Sequence, residues 1–369
     1  MRARLATTSC GLIAGWVVAA SPPSAASAED EGPAPVASMT AVFGGDTQFG
    51  RYERGRLKRH SSDTPLDGIA DLFAGADLAF VNLENPVSDL DAEDLVSSPH
   101  PAHYTYRLRA PTKVLAGLAQ IGIKVVSTAN NHAADLGRDG LAMTAAALRE
   151  AGLAQVGIAA EHAPVGPVEV AAAGGLFELF GATTFVNRPL DRDAPLALLS
   201  LDQIEAELAA KIGALRRAQP EALIIVSLHW GIEGAGSPRA RHVRVAHALV
   251  DAGANAVVGH HAHVLQPIEI YKQGVIFYSL GNLLFDLPEV ESRRSAVARV
   301  RWQHQAGGWQ VDEVSLEAIE RDPESPGPRH ATPTEARRLL RRIIAESKQR
   351  FATELELEAS HARWRRGAN

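Results

Sequence analysis

The amino-acid sequence predicts an α/β fold. Apolar, strand-like runs alternate with amphipathic helical stretches through the middle of the chain. The main runs end in clusters of glycine and polar residues, and no repeat of fixed period underlies the pattern. Ligands of open α/β sheets gather beyond the carboxyl ends of strands, so these clusters are where a functional site is expected.

Composition sets the frame. The 369 residues are 46% apolar and 22% charged, enough apolar material for a large core. Residues 1–28 read as a signal peptide. Arg2 and Arg4 give a positive start, residues 11–20 an apolar core, and Ala26-Ser27-Ala28 a small-residue cleavage site. The apolar run is too short to span a bilayer comfortably, and no later segment is long and apolar enough to do so. Cys10 is the only cysteine and lacks the lead-in of a lipidation site. The processed chain therefore has no disulfide, thiolate ligand or cysteine nucleophile. Processing removes two arginines and no acids, leaving 35 basic against 43 acidic residues, a net charge of −8. That balance argues against nucleic acid as a partner.

The elements follow in order. Residues 29–37 read as a solvated linker. Residues 38–43 form a strand that stops at Gly44-Gly45-Asp46, where Asp46 taken alone is an ordinary turn aspartate. Residues 51–63 read as a polar loop and 68–76 as a short amphipathic segment. A second strand, 77–81, runs into Asn82-Leu83-Glu84-Asn85-Pro86. Pro86 blocks a helix there, and alternation puts Asn82 and Glu84 on one face. Residues 87–103 read as a surface loop with solvated His100 and His103. A helix opens at Pro111 and runs through residue 118. The third strand, 123–127, ends in Asn130-Asn131-His132 with Asp135 close behind, and helix 141–150 follows.

Short apolar runs at 154–158, 168–171 and 176–180 suit further strands. Residues 201–218 carry Ile204, Leu208, Ile212 and Leu215 at helical spacing. Strand 223–228 ends in His229-Trp230-Gly231. Helix 241–252 leads to strand 256–258 and then to Gly259, His260, His261 and His263. In an extended segment alternate side chains share a side, so His261 and His263 face one pocket, as metal ligands do. Strand 275–278 ends in Ser279-Leu280-Gly281-Asn282. Residues 296–316 read as a strand pair, and 334–358 as a helix on the outside.

Asp46, Glu84, Asn131, His229, His261 and His263 all stand at strand ends. Two carboxylates, an amide oxygen and three imidazoles suit Mn²⁺, Zn²⁺ or Fe²⁺ better than calcium, which prefers oxygen alone. Six ligands exceed the needs of one tetrahedral ion, so two divalent ions sharing a carboxylate are expected. Two ions roughly 3.5–4 Å apart clamp the attacking and leaving oxygens of an in-line displacement. His132, beside a candidate ligand, is placed to protonate a leaving oxygen.

Six motifs in series carry a resemblance. They are Gly45-Asp46, Asn82-Leu83-Glu84, Ala129-Asn130-Asn131-His132, His229-Trp230-Gly231, Gly259-His260-His261-Ala262-His263 and Tyr278-Ser279-Leu280-Gly281-Asn282. Over roughly residues 38–290 the chain resembles the CapA family, linked to poly-γ-glutamate capsule synthesis within the calcineurin-like metallophosphoesterase superfamily. The resemblance implies a four-layer α/β/β/α sandwich; the domain is expected over residues 38–320, with 321–369 read as a C-terminal helical extension. It also implies two metals: Asp46 and His263 on the first, Asn131, His229 and His261 on the second, and Glu84 bridging. His132 would be the proton donor and His260 a non-ligand, with Asp135 and Asn282 supporting, as Asn82 and Asn130 do beside their clusters. Two positions depart from the superfamily pattern. Its Asp-x-His opening reads Asp46-Thr47-Gln48 here, and its bridging Asp is Glu84. Ala262 stands where the family commonly has proline, which affects loop stiffness more than ligation.

Two functions are expected from this. One is a secreted, metal-dependent hydrolase of a phosphoester or of an amide in an acidic polymer. The other is a non-catalytic polymer-binding accessory protein for synthesis or export. In either case the implied location is periplasmic or extracellular, at the envelope, near membrane-bound polymer synthesis or export machinery.

Overall fold

The computed structural model describes residues 37–50, 65–90, 108–159, 166–191, 193–287, 289–322 and 327–367. The signal peptide, almost all of the linker, the 51–63 loop, His100 and His103 lie outside them. The strands in chain order are β1 (Ser38–Thr47), β2 (Leu78–Leu83), β3 (Val125–Ser127) and β4 (Ala154–Val156). Next come β5 (Val168–Ala172), β6 (Gly175–Thr183), β7 (Leu223–His229), β8 (Ala256–His260), β9 (Ile268–Tyr271) and β10 (Gly274–Phe277). The last are β11 (Asn282–Leu284), β12 (Arg294–Gln305), β13 (Gly308–Arg321), β14 (Pro328–His330), β15 (Glu356–Glu358) and β16 (His361–Arg365).

Two sheets result. The first runs β15-β16-β13-β12-β1-β2-β3-β4, with β11 beside β1 and β14 beside β13. The second runs β5-β6-β7-β8-β10-β9. Within them β1 to β4, and β6, β7, β8 and β10, are parallel. Parallel strands put their carboxyl ends on one edge, which is why the strand-end clusters converge.

Side-chain alternation builds the layers. Inward residues such as Phe43 and Phe80 of the first sheet pack against Leu179, Ile225, Val258 and Phe277 of the second. Outward residues Val42, Ala79 and Val81 pack under Ile69, Leu115, Leu118 and Leu148. These come from a 3₁₀ helix (Asp67–Phe73) and helices Val114–Gln120 and Gly137–Glu150. On the other side Ile224, Val226 and Val257 pack under Ile204, Leu208, Ile212, Val245 and Leu249. The four-layer α/β/β/α order follows directly. The predicted 201–218 helix is continuous, with a π turn at Ile204–Leu208 and a capping box between Ser200 and Gln203. No helix among the described residues is long and apolar enough to cross a membrane.

Three local expectations are corrected. β1 does not stop at Gly44 but continues to Thr47 through an irregularity between Phe43 and Asp46. A Cβ on Gly45 would lie 2.0 Å from the Gly281 carbonyl oxygen, so only glycine lets β11 come so close. The 334–358 helix is Pro333–Phe351, ending where Ala352 takes a left-handed φ of 52°. It is not an outer helix: Ala336, Leu339, Leu340 and Ile343 belong to the cluster between the sheets. Its abundant charges obscured that stripe. Ser347 Oγ and Thr353 Oγ1 accept from the edge-strand amides of Ile268 and Ile270, which closes an edge open to mispairing. The chain then returns as the β15–β16 hairpin on β13. Finally, residues 261–263 are not extended. His261 and His263 both have positive φ, 87° and 56°.

Candidate metal centre

The site sits on the seam between the sheets. After β10 the chain leaves the second sheet and enters the first as β11, where Asn282 pairs in register with Asp46. That crossover brings Asp46 and Glu84, from the first sheet, against His229, His261 and His263, from the second. Asp46, Glu84 and His229 are at most 1% exposed, and the other two at most 8%. Both histidines reach the pocket through left-handed backbone rather than strand alternation. Non-glycine residues held there cost about 1–3 kcal/mol each, which marks a site held in place by its surroundings.

Two groups share Glu84. Ligand atoms of Asp46, Glu84 and His263 lie within 4.8 Å of one another, and so do those of Glu84, His229 and His261. Glu84 Oε1 is 3.6 Å from His229 Nε2 and 3.7 Å from His263 Nε2. Asn82 Nδ2 donates to Asp46 Oδ1 at 2.9 Å and Glu84 Oε2 at 3.3 Å, and Asn130 Nδ2 in turn lies 3.3 Å from Asn82 Oδ1. His263 Nδ1 contacts Asn282 Oδ1 at 2.8 Å, which turns Nε2 towards Glu84. The His261 amide donates to Asp46 Oδ2 at 3.0 Å. His260 Nδ1 lies 3.2 Å from Asp46 Oδ1 without hydrogen-bond geometry, and His260 is in neither group.

The donor set fits a divalent cation. Glu84 Oε1, His229 Nε2, His261 Nδ1 and Asn131 Oδ1 are buried without hydrogen-bond partners. Such atoms are costly unless something coordinates them. Glu84 Oε1 and Asn131 Oδ1 are acceptors only, and each of the two imidazole nitrogens offers a lone pair in the tautomer whose proton sits on the other nitrogen, so the set suits a cation.

Electrostatics point the same way. Burial and the Asp46 charge push Glu84 well above the usual carboxylate range. Burial would also raise Asp46, but His260 and His263 hold it well below that range. Burial and the neighbouring His261 lower His229, while burial and His263 lower His261 to about 4. Burial also lowers His263, but Glu84 and Asp46 outweigh it and raise the imidazole to about 9. A positive charge between the carboxylates is thus what this pocket favours.

His132 lies beside His261 and is partly exposed. Its Nδ1 is 2.8 Å from Asp135 Oδ2, which also accepts from the Leu108 amide at 2.8 Å. The carboxylate fixes the ring and leaves Nε2 for chemistry. Asn187 Nδ2 lies 3.3 Å from that Nε2, and Asn187 Oδ1 is 3.4 Å from Asn131 Nδ2.

The structure therefore brings together Asp46, Glu84, His229, His261 and His263, with Asn131, His132 and Asp135 alongside. Sequence reasoning missed Asn187 and two aromatic walls. Phe185 packs edge-on to His261 at 4.6 Å, and Phe285 sits 4.4 Å from His263. Residues 183–187 follow β6 as a polar strand-end stretch, the signal that would have found Asn187. Nothing in the sequence marks the phenylalanines.

The chain is thus an α/β/β/α sandwich whose parallel strands deliver carboxylates and histidines to one seam as a candidate metal centre. The model of the bacterial capsule synthesis protein PGA_cap family matches residues 40–287, and the chain belongs to that family. A capsule biosynthesis protein CapA of Bacillus anthracis is 30% identical over 264 residues, covering 71% of this chain and 63% of that one. The chain thus spans less than two thirds of that relative's length. The Bacillus subtilis PGA biosynthesis protein CapA is 29% identical, covering 71% and 67%. A Mycobacterium tuberculosis (strain H37Rv) relative, described as a probable polyglutamine synthesis accessory protein, is 31% identical, covering 61% and 60%. Among solved structures, the calcineurin-like phosphoesterase YfkN of Bacillus subtilis aligns at 15% identity with a TM-score of 0.44, covering 85% of this chain and 98% of that one.

Proposed function

We propose that this chain is an exported, metal-dependent hydrolase acting on a phosphoester or an amide of an acidic envelope polymer. The observation that carries this reading is the His132–Asp135 pair beside a cluster of unpartnered buried ligand atoms. Binding alone has no use for an oriented proton donor. Asp46 and His263 would hold one ion, Asn131, His229 and His261 another, with Glu84 between them. Mn²⁺, Zn²⁺ or Fe²⁺ suits these donors, and such an ion supplies Lewis acidity and an activated nucleophile. The chain itself does the rest. Asn82 orients both carboxylates, Asn282 orients His263, and Asp135 holds His132 so that Nε2 delivers a proton to the leaving atom.

Gln48 favours a second reading. It is fully buried with both amide atoms unpartnered, two residues from Asp46, where the superfamily pattern places a histidine. A weak first site would suit an accessory protein that binds polymer for membrane-bound synthesis or export machinery. Metal analysis of the mature protein, run beside hydrolysis of a generic phosphodiester and of polyglutamate with added Mn²⁺, separates the two. Two ions and turnover support the hydrolase. One ion or none, with polymer binding and no turnover, leaves the accessory role.

A further inference from the structure

A cavity of about 230 Å³ opens beside the metal-ligand loops. It lies between the loop after β7 and the start of helix Ala240–Asp251. Trp230, Ser237, Arg239, His242, Gln266 and Tyr278 are among its walls, and no carboxylate is. Its loop rests on the histidine turn, because the Gly234 amide donates to the Ala262 carbonyl at 2.9 Å. The cavity and the metal centre are therefore neighbours across one short segment.

Trp230, Gln266 and Tyr278 already donate to the Tyr278 carbonyl, the Ala235 carbonyl and Glu269 respectively, which leaves Arg239 and His242 as the polar walls without a hydrogen-bond partner among the described residues. Arg239 occupies the N-cap position and makes no side-chain capping bond. It takes part in no ion pair among the described residues. The amides of Ala240 and Arg241 precede the first helical bond, which His242 N makes to Arg239 O. They lie at the positive end of the helix dipole. His242 is 9% exposed and packs edge-on to Trp230 at 5.2 Å. Its ring nitrogens have no hydrogen-bond partner among the described residues, so a buried imidazole faces the cavity unpaired. Charge of both signs stands behind the walls: Glu269 accepts from the Tyr278 hydroxyl at 2.6 Å, and Glu346 lies 3.6 Å from Arg342. Arg350 donates to the Pro238 carbonyl at 3.3 Å and Arg342 to the Leu265 carbonyl at 3.1 Å.

We infer that this cavity is an oxyanion subsite. Arg239 and His242, at the start of the helix, hold an anionic group of a chain that also enters the metal cleft. The inference rests on the proposed reading only in assigning that group to a polymer. Its volume admits one acidic side-chain head rather than a second length of chain, so it sets the register of the polymer against the metal centre.

The test is a titration of the metal-loaded full chain with a fluorescein-labelled oligomer of γ-linked glutamate, followed by anisotropy. Arg239→Gln should weaken binding about tenfold, as loss of one charge-assisted hydrogen bond would. Arg239→Lys should restore part of it, and Ser237→Ala should have a smaller effect, all with metal content unchanged. Displacement by glutarate but not by inorganic phosphate identifies a carboxylate head. The reverse identifies a phosphate, and either supports the subsite. Wild-type affinity in both Arg239→Gln and His242→Gln, or no oligomer binding by the wild type, overturns it. Because turnover is not the readout, an inactive protein would end the hydrolase reading without touching this one.

Discussion

His229 Nε2 and Glu84 Oε1 lie 3.6 Å apart in the buried seam, and neither has a hydrogen-bond partner. The separation exceeds a hydrogen bond and leaves room for an ion against both. His229→Ala should therefore lower metal content by one ion per chain, and Glu84→Gln should weaken retention of both. Elemental analysis after gel filtration decides it. Unchanged stoichiometry in His229→Ala would remove that residue from the ligand set.

The first group should empty separately. Asp46→Ala and His263→Ala are expected to lose one ion and keep the other. Asn282→Ala, which frees the His263 ring, should weaken first-site affinity by about 10- to 100-fold. If wild type and Asp46→Ala each hold one ion, the two-ion arrangement is wrong.

Proton release should differ between the groups. His263, raised to about 9, carries a proton at neutral pH, so an ion entering beside Asp46 must displace it. His229 and His261 are already neutral there, since both are lowered. First-site affinity should thus climb as pH rises towards 9. In the metal-free protein the same raised value adds stability below the unfolded value near 6.5, lost as pH rises through about 9. Calorimetry in two buffers of different ionisation enthalpy counts the proton. Equal release at both sites contradicts the assignment.

Turnover should depend on His132 rather than on metal retention. His132→Ala is expected to reduce hydrolysis by about 10²- to 10⁴-fold with metal content intact. Asp135→Asn should also slow it, by loosening the ring. Wild-type rates in His132→Ala would exclude it as the proton donor.

The C-terminal helix should behave as core. Ile343→Ala, inside the intersheet cluster, should cost about 2–5 kcal/mol. Ser347→Ala strands the buried Ile268 amide and should cost about 1–3 kcal/mol. Urea unfolding measures both. A change below about 0.5 kcal/mol in Ile343→Ala, the range of ordinary surface substitutions, would place that helix outside the core.

Short-range pattern was enough to place the strands that carry the site and the polar clusters at their ends, but not β9, β11 or the C-terminal strands β14 to β16. Alternation and helical spacing are set by neighbours two to four residues apart, so Asp46, Glu84, Asn131, His229 and the 260–263 histidines were legible as strand-end groups. The fold class followed from the same alternation. What the sequence could not decide is how those ends meet. Asn282 stands beside Asp46 only because the chain crosses from one sheet to the other between β10 and β11. His261 and His263 share a pocket through left-handed backbone, a conformation set by the surrounding loops and not by local pattern. The phenylalanine walls arrive from positions with no chemical signature, and Asn187 from a short polar strand end that meets His132 only in the fold. The charged C-terminal helix packs inward because an open edge and an apolar gap between the sheets exist only once both sheets have formed.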